Sequence, residues 1–201
     1  MAIKPIRLPL NLLFAATVVF ATTGAATTAT TGAADTLLVD FATADGLRTE
    51  RRASAVRIDD WPGSPSPGDK AAIITINDIP AGQKNDNVAR LFKRLSTATD
   101  WSTHQGDTLA LSIGWKFLEK PRGRHRLFLL IQTNAGTANI TLSPSLDNIL
   151  SNDGAPREFT TAKSAAGEIN WSHVVQVAVI IDGLTLDDSG EIAVGKLRIK
   201  N

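Results

Sequence analysis

From Thr36 onward the chain alternates short apolar runs with turn-forming residues. Residues 36–42, 55–59, 71–76, 108–117, 125–133, 137–142, 173–181 and 191–199 carry the β-branched and aliphatic enrichment of strands. No segment of 12 residues or more shows an uninterrupted apolar stripe at a period of 3.6. Eight or nine strands and no strong helix predict a sandwich or a barrel.

The connections carry their own chemistry. Residues 61–68 read Trp-Pro-Gly-Ser-Pro-Ser-Pro-Gly. Prolines cannot donate to a central ladder, so this is a surface loop. A Pro/Gly turn over 120–123 predicts that 108–117 and 125–133 form an antiparallel hairpin. Asp182-Gly183 and Ser189-Gly190 bracket another reversal. Residues 86–95 stay open on pattern alone: Val88, Leu91, Phe92 and Leu95 share a helical face with Asp86 able to cap, whereas Ala89, Leu91 and Leu95 share a strand face interrupted by Lys93. The Val/Ile run over 173–181 predicts a strand buried on both faces or central in its sheet.

The N-terminus changes where this domain is expected to work. Lys4 and Arg7 precede an uncharged apolar run over 8–21, followed by a small-residue tract rich in Thr, Ala and Gly. That is the order of a secretory leader, and the run is short for a membrane span of roughly 20 residues. The expected organisation is a signal peptide over 1–26, a flexible spacer over 27–35 and a β-sandwich domain over 36–201, with no stable membrane span after leader removal. Losing Lys4 and Arg7 takes the formal charge from +1 to −1, which speaks against a nucleic-acid partner. The chain has no cysteine, and an exported domain without disulfides suits a bacterial envelope: secreted or periplasmic.

Three pieces recur in an order that resembles a known family: Leu38-Val39-Asp40-Phe41; Asp100-Trp101-Ser102 leading into Asp107-Thr108-Leu109-Ala110-Leu111-Ser112-Ile113; and Trp171 with the Val/Ile strand, closing in Gly190-Glu191-Ile192-Ala193-Val194-Gly195-Lys196-Leu197-Arg198-Ile199. The pattern resembles the galactose-binding-domain-like jelly rolls of carbohydrate-binding modules. The resemblance implies an all-β, two-sheet antiparallel jelly-roll sandwich that presents a sheet face or edge loops to a glycan, with 86–95 as a strand. It also implies a structural calcium ion near the first strand, with Asp40 and Asp45 as its ligands, although the last strand has Gly195 and Lys196 where that family often shows an aspartate pair. No other cofactor is expected.

Candidate ligand residues follow from side-chain chemistry. Aromatic rings stack on sugars and also fill cores. Trp101 and Trp171 precede long apolar strands and are expected in the core, whereas Trp61 in the Pro/Gly loop and Trp115 beside Lys116 are the candidates for ligand stacking. Arg122, Arg124 and Arg126, with Lys120 and His125, form a basic cluster on a turn, and Arg48, Arg51 and Arg52 form a second. Arginine matches carboxylate and sulfate geometry, so these groups are either sites for an acidic polysaccharide or lipopolysaccharide phosphate, or solvated turns.

Enzymatic readings find little support. His104, His125 and His173 are dispersed, and the chain has no tyrosine for a lyase of this shape. A retaining glucanase needs paired carboxylates about 5 Å apart. The five glutamates form no alternate pair, and Asp59-Asp60 and Asp187-Asp188 are adjacent and read as turn residues. There is no Gly-x-Ser-x-Gly elbow. The expected function is therefore non-catalytic binding of a polysaccharide or oligosaccharide, against two alternatives: a scaffold of the same fold for a protein partner, and an envelope polysaccharide hydrolase or lyase.

Overall fold

The computed structural model describes residues 34–77, 79, 86–104, 106–119, 124–146 and 150–201. The expected leader over 1–26, most of the spacer and Arg122 lie outside the described residues. Eleven strands form two antiparallel sheets. They are β1 (Thr36–Asp40), β2 (Leu47–Arg51), β3 (Ala53–Asp60), β4 (Lys70–Ile76), β5 (Val88–Thr99), β6 (Thr108–Phe117), β7 (Arg126–Thr133), β8 (Thr137–Ser143), β9 (Arg157–Ala162), β10 (Val174–Asp182) and β11 (Gly190–Lys200). One sheet runs β3-β4-β11-β6-β9, with β1 also paired to β11, and the other runs β2-β5-β10-β7-β8. This is the two-sheet sandwich that the resemblance implies and one of the two architectures the pattern allows. No helix among the described residues is long and apolar enough to cross a membrane.

Alternation along each strand builds the core. From β6, Leu109, Leu111, Ile113, Trp115 and Phe117 point inward, and from β7 Leu127, Leu129 and Ile131 join the same cluster. The apolar strand β10 is central in its sheet and buried on both sides from Val177 to Ile181. Its inward residues are Val177, Val179 and Ile181, and its outward Ala178 and Ile180 belong to a separate apolar cluster. Residues 86–95 resolve as the start of β5, whose outward alternation places Phe92 in that outer cluster.

The expected hairpin between 108–117 and 125–133 does not form. β6 pairs with β11 and β9, whereas β7 pairs with β10 and β8, so the segment between them crosses from one sheet to the other. The Pro/Gly stretch over 120–123 lies outside the described residues; turn chemistry favours a reversal without choosing a partner, and these two strands each bury a face against the opposite layer. The 183–189 reversal likewise links the sheets.

The β2–β3 crossing is made through a single linking residue, Arg52. Arg51 takes a positive φ of 67°, and Arg52 follows buried at 6% exposure. Its guanidinium donates to the carbonyls of Asn77, Thr185 and Asp188. Asp188, 5% exposed, accepts from the Thr185 amide at 2.6 Å and shares a 2.8 Å hydrogen bond with Nε2 of fully buried His125. This network ties the strand crossing, the end of β4, the start of β7 and the β10–β11 connection to one another. Sequence reading placed Asp188 in a turn, where it stands, but not in the interior.

Candidate functional site

The outward face of the five-stranded sheet can be laid out from its register. Arg94, Gln176, Gln132 and Thr137 form one row across β5, β10, β7 and β8. Next comes Arg48 from β2 with Phe92, Ala178, Leu130 and Asn139, and then Glu50 with Arg90, Ile180, Phe128 and Thr141. Asp182 and Arg126 close the face beyond Val88. The floor is thus apolar in the middle (Phe92, Ala178, Ile180, Phe128 and Leu130) and polar at both edges.

Charged groups organise the rest of this face. Arg48 lies over the Phe92 ring, 4.5 Å from its centroid, and reaches Glu50 at 3.3 Å. Glu50 also faces Arg90 at 3.8 Å. Arg126 pairs with Asp182 and lies 5.6 Å above the Phe128 ring. Gln176 donates to Gln132 at 3.1 Å. A depression of about 610 Å³ opens here, lined by Gly46, Leu47, Arg48, Arg94, Gln132, Val175 and Gln176. Its Gly46 wall is set by backbone contact: φ is 68°, and a Cβ would lie 2.1 Å from the Arg94 carbonyl oxygen. Only glycine lets the β1–β2 loop approach β5 this closely.

The sequence-predicted residues scatter. Trp115 is 2% exposed and lies between the sheets, edge-on to His125 at 5.4 Å, so a sugar cannot reach its ring in the folded protein. Trp61 is 8% exposed and packs on Ala71, Ile73 and Ala193 on the outside of the other sheet, its Nε1 donating to the Gly154 carbonyl at 2.9 Å. A Cβ on Gly195 would meet that indole at 2.2 Å, which accounts for glycine there. Trp61 therefore borders a smaller depression of about 210 Å³, beside Lys196 and Arg198, without offering a free ring face. Trp101 is fully buried and stacks on half-buried Trp171 at 6.2 Å. Of the two basic clusters, Arg48 and Arg126 share the outward face of the five-stranded sheet, Arg124 is exposed before β7, Arg51 pairs with Asp86, and Arg52 is internal. Phe92 and Gln176 escaped sequence reading, because a strand buried on its inner side hides which outward residues will line up with neighbours.

The loop after β1, where the resemblance implies a calcium ion, holds a cation of the protein's own. Lys93, 6% exposed on the inward side of β5, donates to the Thr43 carbonyl at 2.7 Å and to Thr43 Oγ1 at 2.6 Å. Burial pushes its ammonium down from the ordinary lysine value, and the charges of Asp45 and Asp40 oppose that shift. Asp40 is itself capped by the Ala42 amide at 2.9 Å and pairs in register with Lys196. Calcium needs six to eight oxygens. Here two of the loop's oxygens, Thr43 O and Oγ1, already serve an ammonium, and the described residues contain no cluster of three metal-binding side chains. The residues do not fit a calcium ion. Lys93→Met is expected to lower stability by roughly 1–3 kcal/mol, since it leaves the Thr43 acceptors without their donor. Chelators are expected to leave the wild-type melting temperature unchanged, which thermal unfolding with and without EDTA measures directly.

No protein-family model matches the sequence, and no curated protein matches it. Solved structures do match. A carbohydrate-binding module of family 28, specific for non-crystalline cellulose, superposes with a TM-score of 0.59 at 14% identity, covering 83% of this chain and 98% of that one. The family 11 module from Clostridium thermocellum, solved with a β-1,3-1,4-mixed-linked tetrasaccharide, gives 0.51 at 11% identity, covering 83% and 95%. An exo-β-agarase gives 0.54 at 11% identity, but only 25% of that chain is covered. The fold is that of carbohydrate-binding-module β-sandwiches.

Proposed function

We propose that this domain is a non-catalytic carbohydrate-binding module of an exported protein and that the outward face of the five-stranded sheet is its glycan surface. The observation that carries this reading is the layout of that face: an apolar floor flanked by Gln132, Gln176, Asn139 and Thr141, with a depression large enough for part of a sugar chain. Amides and hydroxyls supply the donors and acceptors that sugar hydroxyls need, while the floor accepts the carbon faces of the rings. The superposed modules that match over nearly their full length are described as binding domains, which supports the same reading.

Affinity electrophoresis against a panel of soluble polysaccharides tests it. Retardation is expected on at least one polysaccharide, and Gln132→Ala with Gln176→Ala should weaken it by about tenfold. Lys196→Ala with Arg198→Ala, on the other sheet, should leave it unchanged. Retardation lost in the second pair and kept in the first would move the site to the other sheet, and no retardation on any polysaccharide would overturn the function.

A further inference from the structure

We infer that the glycan recognised by this face is anionic, a polysaccharide bearing carboxylate or sulfate groups. This rests on the carbohydrate-binding reading above and narrows it to a ligand class. Neutral sugar chains are typically gripped by stacking on uncovered aromatic faces, and among the described residues this face offers none. Its aromatic rings are Phe92 and Phe128, each lying under a guanidinium, Arg48 and Arg126 respectively. The four tryptophans of the sequence all lie elsewhere, and there is no tyrosine.

What the face offers instead is guanidinium charge. Arg48, Arg90, Arg94 and Arg126 stand against two carboxylates, Glu50 and Asp182. The whole sequence is formally only +1, so this excess is local. Glu50 is shared between Arg48 and Arg90, and Asp182 is taken by Arg126. Arg90 Nε is buried without a hydrogen-bond partner, so that guanidinium is held by charge at 3.8 Å rather than by a matched fork. Arg94 is exposed on the wall of the depression and has no carboxylate partner among the described residues. Beside it are Gln132 and Gln176. An unpaired guanidinium next to two amides in a depression of about 610 Å³ fits a sugar that presents a planar or tetrahedral anion among hydroxyls.

The test runs polygalacturonate, a sulfated galactan and two neutral glucans in parallel, with Arg94→Gln and Lys70→Ala as variants. Lys70 is exposed on the opposite sheet, paired with Asp60, and serves as a charge-matched control. Retention is expected on one or both anionic chains, to weaken as ionic strength rises, and to fall about tenfold in Arg94→Gln but not in Lys70→Ala. Retention on polygalacturonate alone would identify the anion as carboxylate, and on the galactan alone as sulfate; each supports the inference. Retention on neutral glucans with no preference for either anionic chain, or equal losses in Arg94→Gln and Lys70→Ala, would overturn it while leaving the carbohydrate-binding reading intact. Retention on none of the four overturns both.

Discussion

Asp188→Ala is expected to cost roughly 2–5 kcal/mol of stability, because it strands two buried hydrogen-bond partners of an ionised carboxylate. The loss has two parts: the His125 ring loses its carboxylate, and the Thr185 amide loses its acceptor at 2.6 Å. Burial raises the Asp188 pKa, but the hydrogen bonds from His125 and the Thr185 amide outweigh it and hold the carboxyl below its ordinary value. A group depressed on folding contributes stability that is present above the unfolded-state value, near 3.9, and is lost as pH falls through the folded value. Thermal unfolding across the acid range should therefore show a wild-type melting temperature that drops below about pH 4, and a flatter acid limb in Asp188→Asn. Identical acid limbs in the two proteins would mean that Asp188 is not held ionised by this network.

Much of the architecture was legible from residue pattern, and the reason is burial. Strands β6, β10 and β11 run through sheet interiors, so their apolar residues are dense enough to be seen without context. The edge strands β2 and β9, Leu-Arg-Thr-Glu-Arg and Arg-Glu-Phe-Thr-Thr-Ala, touch the core through little more than Leu47 and Phe159 and carry no such signal. Sheet assignment was less legible still. The Pro/Gly stretch after β6 reads as a hairpin turn because its chemistry favours a reversal, whereas each strand's partner is decided by contacts far away in sequence.

The candidate site was legible only as charge. Arg48 and Arg126 were visible as members of two basic clusters, yet their sharing one face depends on β2 and β7 flanking β5 and β10. Lys93 looked like an interruption in a strand face, and in the fold it is the inward cation that binds the Thr43 loop. The tryptophans misled for a related reason. A Pro/Gly-rich loop suggested exposure for Trp61, but the loop folds its indole down onto Ala71, Ile73 and Ala193 and over the bare backbone of Gly195.

Trp115 supplies the sharpest separation between a ligand role and a structural one. Trp115→Ala is expected to lose about 3–5 kcal/mol, since it empties a fully packed position between the sheets and removes the ring contacts with Phe117 and His125 at 5.3 and 5.4 Å. Trp115→Phe should cost much less, roughly 1–2 kcal/mol, because the Trp115 Nε1 is buried without a hydrogen-bond partner and its removal relieves a desolvated polar group. Chemical denaturation of both variants gives the two numbers, and affinity electrophoresis under native conditions gives the other axis. Since the ring belongs to the core between the sheets rather than to the five-stranded sheet's outer face, Trp115→Phe should retain wild-type affinity for whatever glycan is bound. A Trp115→Phe protein that is fully folded but no longer retarded would place this residue at the ligand and contradict its position in the core.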